Sequence, residues 1–214
     1  LDISRIESGR LALSLETVEL RPMLEDLIEL FSPQLIDKPV ELSVRLALDA
    51  PESLHTDRDQ LRQILKNFLA NAIKFTERGE VRVEVNWRAD NPRPLVLSVI
   101  DTGIGIAPDK QDIIFEAFQQ ADGSTRRRYG GTGLGLAISR ELATLLGGLI
   151  EVESSPGQGA RFSLLLPLTL DSEHATATAT RITLPAAPRP LVEDEPSGLA
   201  TAAKAVTAPE RPGC

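Results

Sequence analysis

Residues 59–78 constrain this chain more than any other stretch. At about 100° per residue, Gln60, Gln63, Asn67, Asn71, Lys74 and Arg78 fall in one narrow stripe of a helix, while Leu61, Ile64, Leu65, Phe68, Leu69, Ala72 and Ile73 cover the rest. A helix apolar around most of its circumference is buried around most of it. That leaves a row of amides and one ammonium to account for. A solvated polar face is the plain alternative, and the side-chain chemistry argues against it. Amides at i and i+4, with a lysine one turn on, aim hard oxygens and a positive charge at one point. Mg²⁺ takes few protein oxygens and keeps phosphates and waters as its other ligands; Asn71 suits the metal and Lys74 the phosphate charge. Thr56 is expected to open this helix, with Asp59 three residues on as a capping-box-like acid, and the helix to run to about Thr76.

Around it the pattern is α+β. Residues 13–18 alternate like a short strand, and 21–36 read as a helix with Pro22 in its first turn. Residues 40–48 alternate as a half-buried strand, followed later by strands at 80–87, 95–100, 149–154 and 160–166. A helix over 134–146 is closed by Gly147-Gly148. Between Asp101 and Gly133 one short helical stretch, 111–118, is expected in a loop long enough to be functional. The arrangement is one mixed sheet with helices on one face.

Two further segments carry chemistry. Asp101 ends an apolar strand and precedes Thr102-Gly103-Ile104-Gly105-Ile106. A carboxylate there can accept from an adenine amine while bare backbone lets the ring approach, and the flanking isoleucines suit a pocket wall better than a solvated turn. Gly130-Gly131-Thr132-Gly133-Leu134-Gly135 stands directly before a helix, whose first N–H groups form a ready anion site. It is no P-loop, since G-x-x-x-x-G-K-[ST] is absent. It is no dinucleotide fingerprint either, because Ile138 occupies the place of the third glycine. Arg126-Arg127-Arg128 is too short for a nucleic-acid patch and is placed to clamp a triphosphate, the alternative being a solvated charge run.

Composition narrows the setting. With 23 basic against 31 acidic residues the net charge is −8, which argues against nonspecific nucleic-acid binding. At 4% aromatic, the core rests on Leu, Ile, Val and Ala. The sole cysteine, Cys214, permits no internal disulfide, consistent with a reducing, cytoplasmic compartment. No apolar run approaches the ~20 residues of a membrane span, so this segment is expected to make no membrane contact. A start at Leu1 rather than Met reads as part of a longer protein, whose anchor could be in the inner membrane.

These motifs resemble the catalytic ATP-binding domain of sensor histidine kinases, of the wider fold superfamily shared with DNA gyrase, Hsp90-type chaperones and mismatch-repair ATPases. Asn67-x-x-x-Asn71-x-x-Lys74-Phe75 is similar to the N box and Asp101 to Ile106 to the G1 box. Ile114-Phe115-Glu116-Ala117-Phe118 is similar to the F box, and 131–136 to the G2 box. The resemblance covers about 11–168 and implies a two-layer α/β sandwich (Bergerat-type ATP-binding fold) with a flexible ATP lid at about 119–131. It implies ATP and Mg²⁺ as cofactors, with Asn71 on the metal and Asn67 near the phosphates. Lys74 and Arg127 would contact phosphate, Phe75, Phe118 and Tyr129 would border the nucleotide, and Asp101 would read adenine. Gly103, Ile104, Gly105, Ile106, Gly130, Gly131, Thr132, Gly133, Leu134 and Gly135 would complete the site. Hydrolytic relatives place a glutamate where Asn67 stands, so phosphoryl transfer is favoured over hydrolysis, with Asn67, Lys74 and Arg127 as the catalytic set. An ATP-hydrolysing or non-catalytic nucleotide-binding module is the alternative.

The same resemblance divides the chain. Residues 1–12 are similar to the end of a dimerisation-domain helix, 13–168 form the catalytic domain, and 169–214 form a disordered Ala/Thr/Pro-rich tail. Pro190 to Pro196 reads either as a truncated receiver-domain start or as chance acidity, with 18 residues after it. The implied partners are a histidine-bearing dimerisation domain and a response-regulator receiver domain, in a homodimeric parent of hybrid type. Two departures stand out. The last glycine motif ends Gly157-Gln158-Gly159-Ala160 and lacks a terminal hydroxyl, and neither His55 nor His174 sits in an acceptor-like context.

Overall fold

The computed structural model of the chain describes residues 13–116 and 133–170. Strand β1 (Leu15–Glu19) leads into helix α1 (Leu20–Phe31) and a 3-10 turn (Ser32–Leu35); β2 (Val40–Leu46) and β3 (Ser53–Asp57) precede helix α2 (Arg58–Phe75). Then come β4 (Gly79–Trp87), β5 (Leu95–Asp101), two 3-10 turns (Pro108–Lys110, Ile113–Phe115), helix α3 (Gly135–Leu145), β6 (Leu149–Ser154) and β7 (Ala160–Leu166).

Five strands form one mixed sheet in the order β2-β4-β5-β7-β6. Only β2 and β4 run parallel; the other pairings are antiparallel. Period-two alternation sorts the faces. Val81, Val83, Val85, Leu95, Leu97, Val99, Phe162, Leu164 and Leu166 point into the core shared with the helices. Phe68 of α2 meets the Phe162 ring at 5.5 Å between centroids, and Phe115 meets it edge-on at 6.4 Å. The opposite face is polar: Arg82 contacts Glu80 and Glu84 at 2.9 and 2.8 Å, and Arg161 reaches Glu84 at 3.3 Å. An α+β two-layer sandwich with helices on one side of a mixed sheet is therefore what the chain builds.

The structure corrects several boundaries. A separate two-stranded antiparallel sheet, β1 with β3, was not anticipated. β3 holds one large buried apolar residue, Leu54, its other buried positions being Thr56 and Asp57, so no apolar alternation marked it. Because Thr56 belongs to that strand, the cap of α2 is Asp57, whose side chain accepts from the Gln60 N–H; Asp59 is simply an acid in the first turn. Arg78 lies beyond the helix end and leaves the stripe. α1 stops at Phe31 where Pro33 enters a 3-10 turn, and Leu30 stands exposed. Leu48 lies outside β2, fully exposed. The expected helical stretch at 111–118 is represented among the described residues by the short turn at Ile113–Phe115.

Candidate functional site

Helix α2 is the spine of the site, and both glycine segments close on it. At its C-terminal end the Phe75 carbonyl accepts from the Ile104 N–H at 3.3 Å, and Thr76 N–H returns to the Ala72 carbonyl at 3.0 Å. Lys38 Nζ caps the Ile73 carbonyl at 2.9 Å. Gly103 sits so close that a Cβ there would lie 2.4 Å from the Phe75 carbonyl oxygen, so the backbone of the turn touches the backbone of the helix.

Asp101 is brought to this junction by β5. Its Oδ1 accepts from the Gly103 N–H at 2.8 Å, and the residue is 6% exposed. Burial pushes its pKa above the ordinary carboxylate value, while the N–H groups of Gly103 and Ala160 pull the other way. The rest of the turn is pinned from the β6–β7 hairpin. Ile106 N–H donates to Ser154 Oγ at 2.8 Å, that hydroxyl donates to the Gly159 carbonyl at 2.7 Å, and Gln111 Nε2 donates to the Ser154 carbonyl at 2.9 Å. Ile104, 49% exposed, is left as an apolar surface beside Asp101.

Within about one turn of that end of α2 are Lys74 and Asn71, both half-buried. Desolvation lowers the Lys74 pKa, and its Nζ lies 4.9 Å from the Phe75 ring centroid. One turn further back, Asn67 meets α3: its Nδ2 donates to the Gly135 carbonyl at 2.9 Å and to Ser139 Oγ at 3.0 Å, and its Oδ1 accepts from Gln63 Nε2 at 3.0 Å. Gly133 enters the helix at φ +69°, a left-handed conformation that favours glycine. Its N-cap, Leu134, makes no side-chain cap bond to the first turn of α3, and among the described residues the N–H groups of that turn are of the kind that receive an anion.

Asn67, Asn71, Lys74, Phe75, Asp101, Gly103, Ile104, Gly105, Ile106, Gly133, Leu134 and Gly135 thus line one stretch of α2 and the two turns against it. Eight residues separate Asn67 from Phe75, about 12 Å of trough at helical rise. Phe118, Arg127, Tyr129, Gly130, Gly131 and Thr132 lie outside the described residues, as do 1–12 and 171–214. Sequence reading missed the residues that brace the trough: Lys38, Thr102, Gln111, Ser139 and Ser154. Thr102 accepts from the Glu80 N–H at 3.0 Å and ties the Asp101 turn to β4. Only their polarity signalled them, and that is a weak mark without the partner in view.

The donor set also limits any metal. Among the described residues no group of three or more His, Cys, Asp or Glu side chains converges. A single amide oxygen from Asn71, completed by phosphate oxygens and water, fits Mg²⁺. Among the same residues no helix is long and apolar enough to cross a membrane.

Over 175 residues the chain is 42% identical to the sensor histidine kinase GacS of Pseudomonas protegens, covering 80% of this chain and 19% of that protein. It is 39% identical over 171 residues to the autoinducer 2 sensor kinase/phosphatase LuxQ of Vibrio cholerae, covering 79% and 20%. The crystal structure of full-length ShkA in complex with AMPPNP matches with a TM-score of 0.68 and 38% identity, over 78% of this chain and 34% of that one. The chain therefore spans about a fifth of the length of the curated relatives it matches. Residues 56–170, which hold the spine helix, the buried carboxylate and the described part of the glycine turn, match one family, and the chain belongs to it: the histidine kinase-, DNA gyrase B- and HSP90-like ATPases.

Proposed function

We propose that this chain is the ATP-binding catalytic domain of a sensor histidine kinase. It holds Mg-ATP and presents the γ-phosphoryl group to a histidine on a dimerisation domain. The parent is a cytoplasm-facing homodimer that passes the phosphoryl group on to a response-regulator receiver domain. The observation that carries this reading is the docking of both glycine turns on one helix, Gly135 at Asn67 and Gly103 at Phe75. GacS and LuxQ are named sensor kinases, and ShkA was solved with an ATP analogue.

In this reading the Asp101 carboxylate accepts from the adenine amine, and Ile104 and Phe75 border the base. Lys74 and the first N–H groups of α3 hold the phosphates, joined by Arg127. Magnesium bound when nucleotide is present would neutralise phosphate charge, with Asn71 Oδ1 as its protein ligand. The attacking imidazole nitrogen forms a P–N bond as the bond from the γ-phosphorus to the bridging oxygen breaks, and ADP leaves. Positioning and charge stabilisation supply most of the rate. Asn67 presents an amide, which takes no proton from water, so nothing among the described residues beside the phosphate end activates hydrolysis through that position.

Titration of the chain with a fluorescent ATP analogue tests the reading. Saturable binding that weakens at least about tenfold on chelation of magnesium, with Asn71→Ala insensitive to the chelator, is the expected result. No binding of the magnesium form by the wild-type chain would overturn it.

A further inference from the structure

The hydrogen bonds of Asn67 carry a distinction that rests on the reading above and goes beyond it. Both Nδ2 hydrogens point at protein acceptors, one to the Gly135 carbonyl and one to Ser139 Oγ, and Ser139 Oγ itself donates to the same Gly135 carbonyl at 2.9 Å. The amide cannot be turned over: that would set its oxygen against the Gly135 carbonyl and its nitrogen against the Gln63 amide N–H donor. A phosphate oxygen is an acceptor and needs an N–H, and Asn67 has none left. Ser139 is fully buried and cannot touch a ligand.

We infer that Asn67 is a positioning residue. With Gln63 behind it and Ser139 opposite, it clamps the first carbonyl of α3 to the spine helix and so sets the height of the phosphate-facing N–H groups over Asn71 and Lys74. It acts on the phosphates through α3, without contact. Gln63, Ser139 and Asn67 then form one unit, and disturbing any member loosens the phosphate end of the trough while leaving the adenine end, braced separately by Phe75 and Gly103, intact.

The test measures affinity for Mg-ATP and for adenosine in wild type, Asn67→Ala, Ser139→Ala, Gln63→Ala and the Asn67/Ser139 double variant, by competition against a fluorescent ATP analogue. Expected are a loss of about tenfold for Mg-ATP in Asn67→Ala and about threefold in Ser139→Ala, adenosine affinity unchanged in both, and a double variant no worse than Asn67→Ala alone. A residue needed only for folding would weaken both ligands together. Normal Mg-ATP affinity in Ser139→Ala beside a collapse in Asn67→Ala would make Asn67 a direct ligand and overturn the inference. Amide exchange over residues 136–139 without nucleotide gives a second readout, which stands even if the wild-type chain binds no Mg-ATP. Faster exchange in Ser139→Ala is expected, and unchanged exchange overturns the clamp. Absence of Mg-ATP binding by wild type instead defeats the kinase-domain reading.

Discussion

At the end of β5 the Asp101 carboxylate works against its own surroundings. Its charged form is the stronger acceptor for a purine amine, yet burial raises its pKa from the ordinary 3.8. The folded chain therefore holds this proton more tightly than the unfolded chain does. Unfolding releases it in the window between 3.8 and the raised value, so stability falls as pH rises through that window and the cost is fully present above it. Asp101→Asn removes the charge and keeps an oxygen for the Gly103 N–H. At neutral pH the variant should melt no lower than wild type, while its ATP affinity drops at least about tenfold, on the order of 1.4 kcal/mol. Wild-type affinity should also decline as the pH is lowered through the raised pKa, and the variant should not follow. Thermal melts paired with titrations across pH check this; a variant that melts lower yet binds normally would make Asp101 a structural carboxylate.

At the scale of an element, α2 depends on how it begins. Asp57 is 4% exposed and divides its two oxygens: Oδ1 accepts from the Gln60 N–H at 3.0 Å and Oδ2 from the Ser14 N–H at 2.9 Å. One carboxylate caps the spine helix and fixes the chain just before β1. Asp57→Ala should cost about 2 kcal/mol or more, a cap plus a second buried bond. Asp59→Ala, an exposed first-turn acid, should cost only a few tenths. Urea unfolding of the two variants side by side decides the matter; equal losses would return the cap to the Thr56–Asp59 arrangement. This pair also shows what could be read from the chain beforehand. The apolar periods of α2, β4 and β5 are strong because each buries a whole face, and the glycine turns announce themselves by residue type. β3 hides because its buried positions include the polar Thr56 and Asp57, the latter held by hydrogen bonds through both carboxylate oxygens, so no apolar pattern marks the strand. Ser139 hides for the same reason: its use depends on Asn67, 72 residues away in the chain, and no local pattern encodes such a partner. Legible features were those set by neighbours in sequence, and the missing ones are set across the fold.

For the molecule as a whole, the open question is where the phosphoryl group goes. His55 is the one histidine among the described residues, and its position in β3 excludes it on distance. β3 feeds the N-terminus of α2 through Asp57, and Asn67, where α3 docks, lies ten residues along that helix, about 15 Å at helical rise. The β1–β3 sheet adds nothing that would bring His55 back: its backbone N–H donates to the Leu168 carbonyl at 3.3 Å, and it pairs across the strand with Thr17. In-line transfer needs the attacking nitrogen about 3–3.5 Å from phosphorus. A rigid strand and helix cannot close such a gap without unfolding the trough that binds the nucleotide. On the proposed reading, no histidine among the described residues can therefore be the acceptor, and another domain supplies it. Incubated alone with γ-labelled ATP and magnesium, the chain should take up no acid-labile, base-stable label. Adding a separate histidine-bearing dimerisation domain should place label on that domain, at a rate that depends on its concentration and vanishes with Asn71→Ala. Label appearing on His55 would defeat the distance argument. Tight ATP binding with no transfer to any supplied domain would leave a nucleotide-binding module whose chemistry has been lost.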